Sequence, residues 1–155
     1  HGATLEAWTQ PPGDGDGASA SAAVMNSTAV NMAIESLITE MQQLETSLLH
    51  TDFGGQRELL ERLLAADFRE INGQGETSRE QVLQWLLQKD ASARWELSDF
   101  RVLVLAPNIR HVTYHGKQVV PERPGSKGSL HSSLWCHQDS LDCWQLRFHQ
   151  ASKCV

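Results

Sequence analysis

Along the first half of the chain the apolar positions recur at helical spacing, and along the second half they alternate. Val30, Ile34, Leu37, Met41, Leu44 and Leu48 follow one another in steps of four and three, which places them on one face of a helix over 30–50. Ser27 or Thr28 can cap its start. Phe53-Gly54-Gly55 breaks the period, and a shorter helix over 57–66 follows with Leu59, Leu60, Leu63 and Leu64 inward. Phe68 to Ile71 reads as a short strand, ended by the Asn72-Gly73-Gln74-Gly75 turn. A third helix over 78–89 opens on Thr77-Ser78-Arg79-Glu80, the Ser/Thr-x-x-Glu pattern of a capping box.

From Ala93 onward the period is that of strands. Arg94 to Ala106, Ile109 to Val120, Ser129 to His137 and Leu141 to Ser152 are separated by Pro107-Asn108, Pro121–Gly125 and a loop at 138–140. Helices first and antiparallel strands after them make an α+β domain, with helices packed on one face of the sheet. The strand from Arg94 to Ala106 is apolar on both faces, with Trp95, Leu97, Leu103 and Leu105 set against Phe100, Val102 and Val104. A strand wet on one side would not read so, and a partner subunit is the economical cover for its second face. Residues 1–28 lack any such period. They are rich in Gly, Pro, Asp, Ser and Ala, and they are expected to be a disordered leader or a tag ahead of a domain over 29–153. Met25 or Met32 would then be the natural start.

Composition narrows the partners. The 155 residues hold enough apolar content, 40%, for a single core. A net charge of −6 with no basic run argues against nucleic acid or an anionic membrane surface. No apolar stretch approaches the roughly 20 residues of a membrane helix, and a cytoplasmic protein is the expectation. Cys136, Cys143 and Cys154 are too few and too clustered for a disulfide framework. Cys136 and Cys143 could face one another across the last two strands, and in the cytoplasm both would stay reduced.

The wording of the last hairpin carries a family resemblance. Ser132-Ser133-Leu134-Trp135, followed by Trp144-Gln145-Leu146-Arg147-Phe148-His149-Gln150, resembles the closing hairpin of a small domain of unknown function in the nuclear transport factor 2-like, or SnoaL-like, superfamily. Upstream, FREINGQGETSREQVLQWL is similar to the same family's strand, turn and helix. The likeness covers roughly residues 30 to 152. It implies three helices packed on a strongly curved antiparallel sheet, cone-shaped, with a pocket at the open end. It does not select a reaction, since the superfamily holds isomerases, dehydratases, epoxide hydrolases, polyketide cyclases and silent binding modules. His131 stands where the family usually has arginine, and Ala151 where it has glycine.

Several chemistries can be set aside on the residues themselves. His111 and His115 lie in an extended segment, so their Cα atoms should be roughly 13 Å apart, too far to share a metal ion. No metal site and no cofactor is expected. Neither Ser132, Ser133 nor Cys136 sits in a nucleophile motif, and no glycine-rich phosphate loop is present. What the resemblance leaves is acid–base chemistry in an apolar pocket, with Glu70, Asp99, Tyr114, His131 and His149 as candidates.

Strand alternation then divides the positions. Trp144, Leu146, Phe148 and Gln150 share one face of the last strand and are expected to line the pocket with Val112, Tyr114 and Ser132. His149 and Arg147 take the other face and, with His131, Ser133 and Trp135, are expected at an outer surface where related domains dimerise. The leading expectation is a non-catalytic homodimer that binds a small hydrophobic ligand bearing one oxygen. A lyase or isomerase of small apolar carbonyl compounds, with Glu70 or Asp99 as base and Tyr114 as donor, is the alternative. A protein-interaction module using the sheet face is a third.

Overall fold

The computed structural model describes residues 3–8, 27–119 and 125–155. Its helices are α1 (Ser27–His50), α2 (Arg57–Leu63) and α3 (Arg79–Gln88). Its strands are β1 (Thr4–Ala7), β2 (Leu64–Asn72), β3 (Gly75–Ser78), β4 (Arg94–Ala106), β5 (Ile109–Val119), β6 (Ser129–Gln138) and β7 (Cys143–Lys153). All three expected helices and all four long strands are present, within a few residues of their expected ends. One sheet runs β1-β4-β5-β6-β7-β2-β3. Its four central strands are antiparallel, whereas β1 on β4 and β2 on β7 are parallel. The architecture is α+β.

Two elements depart from expectation at the amino-terminal side. Thr4–Ala7, within the stretch expected to be a disordered leader, pairs with Arg101–Val104 of β4, and Leu5 packs against the core. Residues 1–2 and 9–26 of that stretch lie outside the described residues, as do Val120 and the 121–124 part of the Pro121–Gly125 turn. The capping box of α3 uses Ser78 and Gln81 in place of Thr77 and Glu80. Ser78 Oγ accepts from the Gln81 backbone N–H at 3.3 Å, and the Gln81 side chain accepts from the Ser78 N–H at 2.9 Å. Thr77 is still a strand residue there, paired with Glu70.

Two bulges decide what each long strand shows to the helices. Ser98 pairs with His115 and Arg101 with Thr113, so β4 carries one more residue than β5 across this interval. Asp99 takes a φ of 54° within it. The extra residue reverses the alternation. Trp95 and Leu97 before the bulge therefore share the inner face with Phe100 and Val102 after it, opposite Gly116 and Val112. This removes much of the apparent double-sided apolarity of β4 and leaves Leu103 on the outer face. In β7, Leu146 pairs with Trp135 and Phe148 with Leu134, so Arg147 is the unpaired residue. Leu146 faces inward before it; His149 and Ala151 do so after it.

The core between α1, α3 and the inner sheet face contains Met41, Leu48, Phe53, Leu60, Leu83, Val102, Val112, Trp135 and Leu146. Three polar clamps hold the helices where the site needs them. The Arg79 guanidinium donates to the carbonyls of Glu61, Leu64 and Ala65, tying α3 to the α2–β2 junction. Lys89 donates to the Leu49 and Thr51 carbonyls at the end of α1. His50 accepts the backbone N–H of Trp95.

Candidate functional site

A cavity of about 700 Å³ opens between α1, α3, the β2–β3 turn and the inner face of β5, β6 and β7. Its walls are apolar, with Leu48, Phe68, Val82, Trp85, Leu86 and Trp95 among them. The floor is polar and connected.

The first polar group is Glu45, on the buried face of α1 one turn beyond Met41 and only 2% exposed. Its carboxylate accepts the Tyr114 hydroxyl at 3.0 Å and the Trp135 indole N–H at 2.8 Å. Burial, followed by the adjacent Glu45 charge, holds the Tyr114 phenol far above its usual range. Tyr114 is therefore a protonated donor, and its proton is committed to Glu45.

The second group is a chain of three side chains from three strands. Glu70 of β2 lies beside His149 of β7, whose Nδ1 is 2.6 Å from the carboxylate. His149 Nε2 is 3.0 Å from Nδ1 of His131 on β6. The Asn72 amide donates to the other Glu70 oxygen at 3.3 Å. Parallel pairing of Glu70 with His149, and antiparallel pairing of Ser133 with His149, set this arrangement. An ionised carboxylate only accepts, so His149 Nδ1 carries a proton. With His149 neutral, its Nε2 accepts from His131 Nδ1–H, and the chain ends on a lone pair at His131 Nε2. That nitrogen is buried and has no hydrogen-bond partner among the described residues.

His131 is held in the neutral form. It is 8% exposed, its ring stacks on Tyr114 at a centroid distance of 4.8 Å and an interplanar angle of 4°, and Trp95 meets it edge-on. Burial, with repulsion from His149 adding and Glu70 opposing, lowers its pKa to about 4. Gly116 makes room for the ring, since a Cβ there would stand 2.9 Å from Nε2.

The expected site residues are redistributed by these geometries. Glu70, Tyr114 and Leu146 line the cavity, and Val112 is buried in the adjoining core. Asp99 is exposed in the β4 bulge and is not among the lining residues. Phe148, Gln150 and Ser132 fall on the other face of the sheet, where Ser132 meets His111 at 2.7 Å. Trp144 lies away from the cavity under Arg110, whose guanidinium is 4.0 Å from the ring centroid. His131 and His149, expected outside, line the cavity. Ser133 and Trp135, also expected outside, are fully buried. Only Arg147 of that set is exposed, paired with Asp67 at 3.0 Å. The bulge at Arg147 is the reason in β7; in β6, His131, Ser133 and Trp135 face inward and Leu130 and Leu134 outward, a choice that alternation alone does not make. Cys136 and Cys143 are not opposed either, each facing a glutamine across the hairpin. Glu45 escaped the sequence reading, although an acidic residue four after Met41 and three before Leu48 was its signal.

No protein-family model matches the sequence. No curated protein matches it. Solved structures do. A proposed dehydratase of the NTF2-like family from Streptomyces avermitilis matches 79% of this chain and 99% of its own, with 17% identity and a TM-score of 0.61. A proposed ketosteroid isomerase from Parabacteroides distasonis matches 74% and 85%, with 12% identity and a TM-score of 0.56. The association domain of CaMKII from C. elegans matches 81% and 98%, also with 12% identity and a TM-score of 0.56. The order of elements, the sheet and these matches agree, and the fold of this chain is the nuclear transport factor 2-like fold.

Proposed function

We propose that this chain is an acid–base enzyme, an isomerase or lyase acting on a small, largely apolar carbonyl compound, in preference to the binding module that its sequence suggested. The Glu70–His149–His131 chain at the floor of an apolar cavity carries the reading. Glu70, whose carboxylate lines the cavity, takes a proton from a carbon beside the substrate carbonyl, while His149 and, behind it, His131 hold the carboxylate in place. The proton then rests on Glu70, and the negative charge passes to the substrate oxygen. Returning the proton to another carbon completes an isomerisation. Delivering it to a departing hydroxyl releases water and leaves a double bond, which completes a dehydration. Two of the structural neighbours are described by those two reactions.

The reading includes a cone-shaped sheet with the cavity at its open end, a cytoplasmic setting, and a homodimer formed through the outer sheet face. The association domain among the neighbours supports self-association. So does an outer row of Leu103, His111, Leu134 and Phe148 that runs in register across four strands.

Solvent deuterium exchange tests the catalysis. The protein is incubated in D2O with a panel of small enolisable ketones, and deuterium gain is followed by NMR. Exchange should fall by about 10²–10⁴-fold in Glu70→Gln, the usual worth of a positioned base, and by less in His131→Gln, which acts through His149. Binding of the same ketones with no exchange above the buffer rate would return the chain to the binding-only reading.

A further inference from the structure

The charges around the cavity point to the charge of its ligand. Glu45 is 2% exposed, and both of its oxygens are held by neutral donors. No ion pair reaches it among the described residues. Glu70 is a second carboxylate on the same cavity, paired with an amide and an imidazole. Apart from the two histidines, the only cationic lining side chain among the described residues is Lys153, exposed at the end of β7. The walls add Trp85 and Trp95, whose ring faces carry negative quadrupole potential. An anion entering this cavity would meet uncompensated negative charge in a low-dielectric site, and a cation would relieve it.

We propose that the cavity selects an organic cation: a small apolar molecule bearing a protonated or quaternary amine. This rests on the reading of the cavity as the functional site, and it specifies the substrate of that site. It also supplies something the floor lacks. Proton removal leaves negative charge on the ligand, yet the Tyr114, Trp135 and Asn72 donors are committed to Glu45 and Glu70. An ammonium group on the ligand itself balances that charge.

Calorimetry with matched probes decides the point. Two trios are titrated at pH 7.5 and low salt: 3-phenylpropylamine, 3-phenylpropanol and 3-phenylpropionate, and the cyclohexyl counterparts of all three. In each trio the amine should bind about tenfold more tightly than the alcohol, and the carboxylate more weakly than either. Glu45→Gln or Glu70→Gln, whichever retains the wild-type circular dichroism spectrum, should erase the amine's advantage while sparing the alcohol. An alcohol or carboxylate that binds as tightly as the amine overturns the proposal. So does failure of every member of both trios to bind at millimolar concentration. The ketone exchange assay separates the two claims. Amine preference without exchange leaves this inference standing and sinks catalysis; exchange without amine preference does the reverse.

Discussion

At the residue scale, His131 shows how burial turns an ordinary surface residue type into a poised one. Its neighbours are rings, Tyr114 on one side and Trp95 at the edge, and its one polar partner among the described residues is another imidazole. Water would stabilise an imidazolium, and these neighbours do not. The folded pKa of about 4 lies below the ordinary 6.5, so the unfolded chain binds the proton more readily. The stability that His131 contributes is thus present above pH 6.5, falls as pH drops below it and levels off below about pH 4. The full difference approaches about 3 kcal/mol. Urea unfolding of wild-type protein and His131→Gln between pH 7.5 and 4 should show the wild type losing stability faster by that amount. Parallel losses would mean that His131 charges freely in the folded chain.

At the element scale, the helices and long strands were legible because their apolar period is sustained over many residues. α1 holds its period over about five turns, and β4 ends where Pro107 requires it to. Side-chain direction was less legible, because a single unpaired residue reverses it and leaves no apolar signature. Asp99 and Arg147 are such residues, and neither stands out, because β4 and β7 carry other polar and charged residues. Half of the candidate site was readable on its own terms: Glu70, Tyr114 and Leu146 were picked out, whereas His149 was assigned to the opposite face by counting through Arg147. The polar floor was hidden for another reason. Its members come from α1, β2, β5, β6 and β7, and apart from Glu70 and Asn72 its partners lie at least 18 residues apart in the chain.

Asp99 also offers a test at this scale. Its left-handed φ suits aspartate, asparagine or glycine, and a β-branched side chain there is strained. Asp99→Val should cost about 1–2 kcal/mol in chemical denaturation, and Asp99→Gly should stay near wild type. A harmless valine would show that β4 can pair with β5 without the bulge.

At the scale of the whole molecule, the sheet serves two masters. Its inner face meets the helices and builds the cavity, while its outer face carries the row from Leu103 to Phe148. If the proposed homodimer uses that row, Leu134→Asp places a charge near its centre. The dimer dissociation constant measured by sedimentation should then rise by more than about 100-fold, equivalent to about 3 kcal/mol. Deuterium exchange within one subunit should persist, since Leu134 points away from His131. Wild-type protein that sediments as a monomer at micromolar concentration would remove the outer face from the proposal.

The unpaired Arg147 has a further consequence for anyone comparing this chain with others of the same fold. A strand that loses one residue there is not merely shorter: every later position exchanges inside for outside. A relative without the insertion would present to its cavity the residues aligned with Phe148 and Gln150. An ungapped alignment would then match His149 with a surface position and report the histidine as lost. Homology through β7 is best traced by facing direction, with a gap admitted at 147, so that inheritance of the Glu70–His149 pair is judged on the residues that occupy the same space.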